Sequence, residues 1–192
     1  RNRIIVLPHI VEEKKVEIED FILNEKRIVL FAPSSQNDIS KIKELVNRKD
    51  QLKREGVFII AKYIFDEDGE PYILRRYFSE LDYNKYMKQC SIVYVPLQVT
   101  FNYRVSNVIN EAISYGKPVI SHTNKYTLFL KERYPSSIYI LKERDLLTEI
   151  PQIKSWLVRN NLSFWEDREK FLDDHSQNRF IGYVQMFLEG LS

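Results

Sequence analysis

Short segments that are apolar at almost every position recur along the chain and are separated by stretches with helical spacing. The strongest are residues 27–32 (RIVLFA), 57–63 (VFIIAKY), 91–96 (SIVYVP) and 118–121 (PVIS). Strands that are apolar throughout, instead of at every second position, are typical of a parallel sheet covered on both faces. The sequence therefore predicts an α/β fold, a Rossmann-like doubly wound parallel sheet with helices on both faces and a helical C-terminal tail. We expect residues 1–192 to form a single domain.

Weaker signals complete the predicted order of elements. Further strands are expected at residues 4–7, 72–77 and 138–141, and an acidic turn is expected at residues 66–70. Apolar residues at helical spacing predict one amphipathic helix over residues 39–53, which Gly56 ends. Other helices are expected at residues 16–23, 82–89 and 126–133, and from residue 144 onwards with breaks near Pro151 and Asn160.

Composition excludes several classes of function. A net charge of +2 over 192 residues gives no electrostatic case for a nucleic-acid partner. The single cysteine, Cys90, excludes an internal disulfide and is expected to be buried and inert. The three histidines, His9, His122 and His175, lack metal-ligand spacing, so structural or surface roles are expected for them and no metal site is predicted. With five glycines, the chain has no glycine-rich phosphate loop, so a phosphate must be held by a helix end and side chains.

The stretch 102–123 reads as a loop, a helix and a short strand. Ser106 and Asn107 are good N-cap residues, and Glu111 lies about one turn into the helix. Arg104 stands just before this helix start, where free N–H groups and the positive end of the helix dipole favour an anion. The pattern therefore predicts a phosphate site. The alternative is an ordinary N-cap, with Glu111 as a solvated helix residue or as part of a cap pair.

Several loops follow predicted strands and would meet at one edge of the sheet. They span residues 33–38, 77–81, 97–107 and 121–125. In doubly wound sheets, ligands bind beyond the carboxyl ends of the strands, where the strand order switches. The predicted phosphate site thus lies on a rim suited to ligand binding.

The segment 96–121, PLQVTFNYRVSNVINEAISYGKPVIS, resembles the nucleotide-sugar site of retaining, glycogen-synthase-like GT-B glycosyltransferases. In that superfamily, a strand ending in proline is followed by a variable loop, a helix start, Glu-Ala and then Gly-x-Pro-Val-Ile. Here Pro96, the pair Glu111-Ala112 and residues 116–120 match that order. Residues 78–96 are similar to the segment before the site, and residues 8–15 resemble the hinge that enters the second lobe.

The resemblance implies a C-terminal donor-binding lobe of a two-lobed glycosyltransferase. The implied donor-binding residues are Asn102, Tyr103, Arg104, Ser106, Asn107 and Glu111. The helix start would hold the diphosphate, Glu111 would bind the ribose hydroxyls, and the loop 101–103 would face the transferred sugar. No metal or other cofactor is implied, and catalytic residues are left unassigned because acceptor groups and any general base would lie on the missing N-terminal lobe.

The implied partners are a nucleotide sugar, the N-terminal lobe and a glycan or lipid-linked acceptor. The implied location is the cytoplasm, including peripheral association with the inner face of the membrane. A non-catalytic α/β module, including a degenerate transferase lobe that binds a nucleotide or a protein, is the alternative. A receiver-like module is disfavoured because Pro33, Tyr63 and Pro96 stand where a strand-end aspartate would be needed.

Three positions depart from the superfamily pattern. Tyr103 stands where many relatives have a glutamate eight residues before the second one, and Asn107 stands where glycine is usual. The usual arginine and lysine pair on the first loops has Lys41 and Lys62 as its nearest candidates.

Overall fold

A computed structural model describes residues 10–11, 27–97, 105–142 and 145–189. The strand predicted at residues 4–7 and the helix predicted at residues 16–23 lie outside these ranges. The site residues Asn102, Tyr103 and Arg104 also lie outside them.

A seven-stranded sheet in the order β3-β4-β2-β1-β5-β6-β7 forms the centre of the molecule. Its strands are β1 (Ile28–Ala32), β2 (Val57–Lys62), β3 (Glu67–Gly69), β4 (Tyr72–Arg75), β5 (Ile92–Val95), β6 (Val119–Ser121) and β7 (Ile138–Ile140). All neighbouring strands are parallel except β3, which runs antiparallel to β4 at one edge. The predicted parallel sheet is therefore confirmed, with one antiparallel strand added.

The helices in the described part of the chain alternate with these strands and continue into the tail. They are α1 (Ile39–Asn47), α2 (Lys49–Arg54), α3 (Glu80–Gln89), α4 (Asn107–Ser114), α5 (Lys125–Arg133), α6 (Ile150–Asn160), α7 (Ser163–Asp174) and α8 (Gln177–Glu189). One turn of 3-10 helix, Leu146–Glu149, precedes α6.

Successive residues of each strand point to opposite faces, and each face carries its own hydrophobic cluster. Leu30 of β1 packs in a cluster with Ile42 of α1 and Ile153 of α6. The next residue, Phe31, packs in a second cluster with Ile109 of α4. Because both faces are covered by helices, most residues of the apolar strands are buried, and the predicted doubly wound architecture is confirmed.

The helix predicted over residues 39–53 is divided in two at Arg48. The backbone of Arg48 leaves the helical region at φ −101° and ψ 32°. Its N–H donates to Leu45 O at 3.0 Å, a bond to the third preceding residue that tightens the last turn of α1. Leu45 and Leu52 still reach the same hydrophobic cluster, which explains why their spacing alone predicted one helix.

The acidic turn predicted at residues 66–70 contains strand β3, which was not predicted. Asp68 accepts hydrogen bonds from both terminal nitrogens of Arg75, at 2.6 and 3.1 Å. Tyr72 also donates to Glu67 at 2.8 Å. Acidic residues and glycine are poor strand formers, but these cross-strand pairs stabilise the short hairpin.

In the tail, the break predicted near Pro151 lies between the 3-10 turn, which ends at Glu149, and α6, which begins at Ile150. Pro151 itself does not interrupt α6. It occupies the first turn of α6, where its missing N–H has no intrahelical partner to lose. The break predicted near Asn160 is confirmed by the end of α6 at that residue. A further helix end at Asp174 was not predicted.

The order of the strands switches beside β1, whose two neighbours are β2 and β5. From β1 the chain builds the sheet outward through β2 and β4, and it returns through α3 to β5 on the other side. A crevice is therefore expected beyond the carboxyl ends of β1 and β5. In the part of the chain that the structure describes, no helix is both long enough and apolar enough to span a bilayer.

Candidate functional site

The loops that follow β1 and β5 are joined at the switch point by their backbones. Asp38 N–H donates to Pro96 O at 2.7 Å, and Asn37 forms an isolated β-bridge with Leu97. Asp38 also caps α1 by accepting from Ser40 N–H at 3.0 Å. These contacts hold the two loops together beyond the carboxyl ends of β1 and β5.

Helix α4 begins at this edge with Ser106 at its N-cap position, as predicted. The Ser106 side chain is 5% exposed but makes no capping hydrogen bond within the described structure. The first backbone bonds of the helix run from Ile109 and Asn110 N–H to Ser106 O, at 3.1 and 3.2 Å. The N–H groups of Asn107 and Val108 precede these bonds and lie at the positive end of the helix dipole.

Other helices at the same edge begin differently. The side chains of Asp38, Ser79 and Asn124 cap α1, α3 and α5 by accepting hydrogen bonds from first-turn N–H groups. Helix α4 therefore does not have the ordinary side-chain cap that was the alternative interpretation of Ser106. Its first turn remains suited to an external anion.

Glu111 lies one turn into α4, and its carboxylate contacts the helix that precedes β5. Tyr83 of α3 donates its hydroxyl to Glu111 Oε2 at 2.7 Å. Burial, and secondarily the Glu111 carboxylate, raise the pKa of Tyr83 well above its usual value, so the phenol remains a donor at neutral pH. Glu111 is half-buried and is not a solvated helix residue without a partner.

Helix α4 is held in place by polar contacts from three other helices. Tyr126 of α5 donates to the buried Asn110, and Tyr115 donates to Asn84 of α3 at 2.9 Å. Arg168 of α7, which is 2% exposed, donates to Ser114 O at 2.8 Å near the end of the helix. Gly116 then turns the chain at φ 67°, the left-handed conformation expected of a C-cap glycine.

Asn37, which precedes the cap residue of α1, is a further candidate for the site. It is 2% exposed beside the ends of β1 and β5, and its Nδ2 donates to Ala32 O at 3.3 Å. Its Oδ1 is buried without a hydrogen-bond partner among the described residues. A buried acceptor at a crevice is suited to a ligand donor group, because an unpaired buried oxygen is otherwise costly.

The lysines suggested for the diphosphate lie on separate elements. Lys41 is on the first turn of α1, with its ammonium nitrogen 3.3 Å from Glu44 Oε2. Lys62 ends β2, which lies on the far side of β1 from β5. Arg104, Tyr103 and Asn102 lie outside the described residues, so their roles at the diphosphate and sugar stay predictions.

The cysteine and one histidine have the structural roles that were predicted for them. Cys90 is buried, and burial raises the pKa of its thiol to about 12. The His175 ring stacks on Phe171 with centroids 4.1 Å apart. Across the described ranges, no three His, Cys, Asp or Glu side chains are grouped as metal ligands. The expectation of metal-independent donor binding stays a prediction.

Tyr83 is a residue of the candidate site that the sequence did not reveal. Its spacing with Tyr86 and Met87 predicted simply one side of a short helix. Its contact with Glu111 joins residues 28 positions apart, on helices brought together by β5. No local pattern could have indicated that pair.

Comparison with known proteins identifies the fold. No protein-family model matches the sequence, and no curated protein sequence shows significant similarity to it. Solved structures, in contrast, are similar. One is a mutant of Staphylococcus aureus TarM in complex with fondaparinux, alpha-GlcNAc-glycerol and UDP, with a TM-score of 0.64 and 12% identity over 96% of this chain and 39% of that one.

Two further solved structures are also similar to this chain. Sucrose-phosphate synthase from Thermosynechococcus elongatus gives a TM-score of 0.60 and 14% identity over 88% of this chain and 47% of that one. WaaG, a glycosyltransferase involved in lipopolysaccharide biosynthesis, gives 0.56 and 13% over 94% of this chain and 54% of that one. The chain thus has a GT-B glycosyltransferase fold and spans about half the length of these proteins, or less.

Proposed function

We propose that this chain is the donor-binding lobe of a glycosyltransferase that uses a nucleotide-diphosphate sugar. The observation that carries the proposal is the start of α4. An N-terminus without a side-chain cap lies at the switch point of a GT-B fold, with a carboxylate one turn into the same helix. A diphosphate is an anion and suits the free N–H groups at the helix start. A ribose diol is a pair of hydrogen-bond donors and suits the carboxylate one turn later.

Each residue then has a role in the proposed site. The N–H groups of Asn107 and Val108, the Ser106 hydroxyl and Arg104 bind the diphosphate. Glu111 accepts hydrogen bonds from the ribose hydroxyls, and Asn102 and Tyr103 are assigned to the transferred sugar, as the resemblance implies. Donors aimed at the diphosphate stabilise the negative charge that develops on it as the glycosyl group leaves.

The rest of the reaction belongs to a second lobe. The chain covers between 39% and 54% of three proteins with this fold, which supports a partner lobe of similar size. We propose that this N-terminal lobe supplies the acceptor site, for a glycan or a lipid-linked glycan at the inner face of the membrane. The lobe described here would then bind donor weakly and transfer nothing by itself.

Calorimetry with UDP and GDP tests the proposal. UDP is the first probe because the TarM structure with this fold contains it. We expect micromolar to millimolar binding of one nucleotide, weakened about tenfold or more in Glu111→Ala because two charge-assisted hydrogen bonds are lost. Glu55→Ala, an exchange of a carboxylate that lies at the end of α2 and away from the crevice, is the matched control. Absence of binding by the unmodified protein to either nucleotide contradicts the proposal.

A non-catalytic lobe that retains nucleotide binding is the second candidate. It is favoured by Asn107, whose side chain stands where glycine is usual in the superfamily that the sequence resembles. The two candidates differ in one measurement on the two-lobed protein. A transferase hydrolyses or transfers its nucleotide sugar in the presence of acceptor, whereas a binding lobe releases the intact donor.

A further inference from the structure

The hydrogen bond between Tyr83 and Glu111 is built into the packing of two helices. The Tyr83 ring packs edge-to-face on Phe31 of β1, with centroids 5.6 Å apart. The hydroxyl of that fixed ring then donates to Glu111 Oε2 at 2.7 Å. A ring held by a strand residue has few alternative positions, so the phenol fixes the direction in which the carboxylate points.

The bond leaves most of the acceptor capacity of Glu111 in place. A carboxylate offers about four lone-pair sites on its two oxygens. Tyr83 uses one site on Oε2, so Oε1 and the second site on Oε2 can accept from a ligand. A carboxylate oriented by a neutral donor keeps its negative charge, which a lysine or arginine partner would largely neutralise.

A second tyrosine hydroxyl joins the same pair of helices. A second phenol, Tyr115, lies next to the last residue of α4 and donates to Asn84 of α3 at 2.9 Å. The same two helices are thus joined twice by tyrosine hydroxyls, once at the Glu111 carboxylate and once at the Asn84 amide. The Tyr115 hydroxyl makes no hydrogen bond to the Glu111 carboxylate among the described contacts, although burial and the nearby Glu111 charge raise the pKa of Tyr115. The two bonds differ in their acceptor, because Tyr115 donates to an amide whereas Tyr83 donates to the Glu111 carboxylate and so bears on its orientation.

We propose that Tyr83 is a positioning residue that orients Glu111 toward a vicinal diol and thereby makes the site selective for ribose over deoxyribose. The inference rests on the proposed nucleotide-sugar function. It adds to that function a role for Tyr83 and a preference for ribose over deoxyribose. A carboxylate held in one orientation accepts from two neighbouring hydroxyls together, whereas a free carboxylate loses rotamer entropy on binding.

The experiment compares two conservative variants with two ligands on the full chain. The ligands are the nucleoside diphosphate that the unmodified protein binds, UDP or GDP, and its 2′,3′-dideoxy analogue. The variants are Tyr83→Phe and Tyr115→Phe, each of which removes one interhelical hydroxyl and keeps the ring. Melting temperatures of both variants give their relative stability, and calorimetry gives the affinities.

We expect Tyr83→Phe to weaken binding of the ribonucleotide about tenfold, because the carboxylate, no longer held by the phenol, loses side-chain rotamer entropy when the ligand binds. Binding of the dideoxy analogue should change less than twofold, so the ratio of the two affinities falls. Tyr115→Phe should leave that ratio unchanged, even if it lowers the melting temperature as much. A change in helix packing alone would affect both ligands and both variants equally.

The possible outcomes distinguish an error in the role of Tyr83 from an error in the proposed nucleotide-sugar function. If the unmodified protein binds neither nucleotide, the proposed function and the role of Tyr83 are both wrong. If binding is present and depends on Glu111 but Tyr83→Phe keeps the ribose preference, the donor-site proposal stands and the positioning role is wrong. An equal loss of preference in Tyr115→Phe also overturns the role assigned to Tyr83.

Discussion

Tyrosine hydroxyls donate to carboxylates at several places in this chain. The pairs are Tyr72 with Glu67, Tyr83 with Glu111, Tyr134 with Asp174 and Tyr139 with Glu149, with oxygen–oxygen distances of 2.7 to 2.8 Å. Burial and the adjacent Glu149 carboxylate raise the pKa of Tyr139 to about 12. A phenol with a raised pKa stays protonated. In each of these pairs the tyrosine is therefore an uncharged donor to a carboxylate throughout the physiological pH range.

Asp174 provides a residue-scale prediction about pH. Its carboxylate accepts from Arg133 Nε at 2.8 Å and Nη2 at 2.7 Å, and also from the Tyr134 hydroxyl at 2.8 Å. The hydrogen bond from Arg133 lowers the pKa of Asp174 in the folded protein. A lowered folded-state pKa contributes stability above the unfolded-state value of about 4, and that stability is lost as pH falls through the folded-state pKa.

We therefore expect Asp174→Asn to reduce the free energy of unfolding by about 1 kcal/mol at pH 7, a value that allows for solvent screening of a partly exposed pair. Urea denaturation should show this difference shrinking as pH is lowered from 5 to 3. Asp173→Asn is the control, because Asp173 is 64% exposed and pairs with the exposed Arg179 at 2.9 Å. A difference for Asp174→Asn that is constant with pH would contradict the ion-pair explanation.

At the residue scale, the sequence indicated candidates but not their partners. Ser106 and Glu111 could be selected because an N-cap residue and a glutamate one turn later are local features. Asn37 and Tyr83 could not be selected, since their significance depends on burial beside β5 and on a contact across 28 residues. Side-chain partners across the sheet are set by packing and not by spacing along the chain.

At the scale of elements, α4 is an eight-residue helix whose position depends on its neighbours. Isolated helices of this length are marginal in water, so tertiary contacts must supply its stability. Arg168 of α7 supplies one such contact, because its Nε donates to Ser114 O at 2.8 Å and its guanidinium lies 4.6 Å above the Trp165 ring. The bond satisfies a carbonyl in the last turn and places a positive charge at the negative end of the helix dipole.

We expect Arg168→Met to reduce the free energy of unfolding by about 3 kcal/mol, because a buried hydrogen-bonded charge is removed from its acceptor. Arg179→Met, which removes an exposed ion pair with Asp173, should cost about 0–1 kcal/mol. Urea denaturation of both variants at pH 7 measures the difference. Equal losses in the two variants would show that Arg168 does not anchor α4.

Elements were predicted well where they are continuous and apolar, and poorly where tertiary contacts override local preference. Strands β1, β2, β5 and β6 follow directly from their apolar runs. The break at Arg48 was missed because the apolar spacing continues across it, and strand β3 was missed because its residues are acidic. Both errors arise from reading a segment without the neighbour that stabilises it.

At the scale of the whole molecule, the sheet order brings the candidate site together. Helices α1 and α4 start from the two strands that flank the switch point, and the loops before them are hydrogen-bonded to each other. A parallel order was predictable from the apolar strands, and the GT-B resemblance is confirmed at the level of fold. The position of β3 at the edge of the sheet follows from its antiparallel pairing with β4, which could not be predicted from the sequence.

A ligand that binds the folded chain and not the unfolded one should raise its stability, which gives a prediction independent of any activity. A nucleotide sugar at about 100 times its dissociation constant adds about 2.7 kcal/mol to the free energy of unfolding. For a domain of this size, that corresponds to a rise in melting temperature of about 5 to 10 °C. A panel of UDP- and GDP-linked sugars, screened by thermal shift on the full chain, should therefore show rises confined to one base.

The pattern across the panel distinguishes what the lobe recognises. If the nucleoside diphosphate without a sugar raises the melting temperature as much as all its sugar derivatives do, the α4 start and Glu111 dominate binding. An added rise for one sugar would indicate contacts from the loop before α4. Glu111→Ala should lose the rise while keeping its own melting temperature near that of the unmodified protein, because Glu111 is half-buried and bonded to one neutral phenol. If Glu111→Ala melts normally and is still stabilised as strongly as the unmodified protein, the ligand binds elsewhere and the proposed site is wrong.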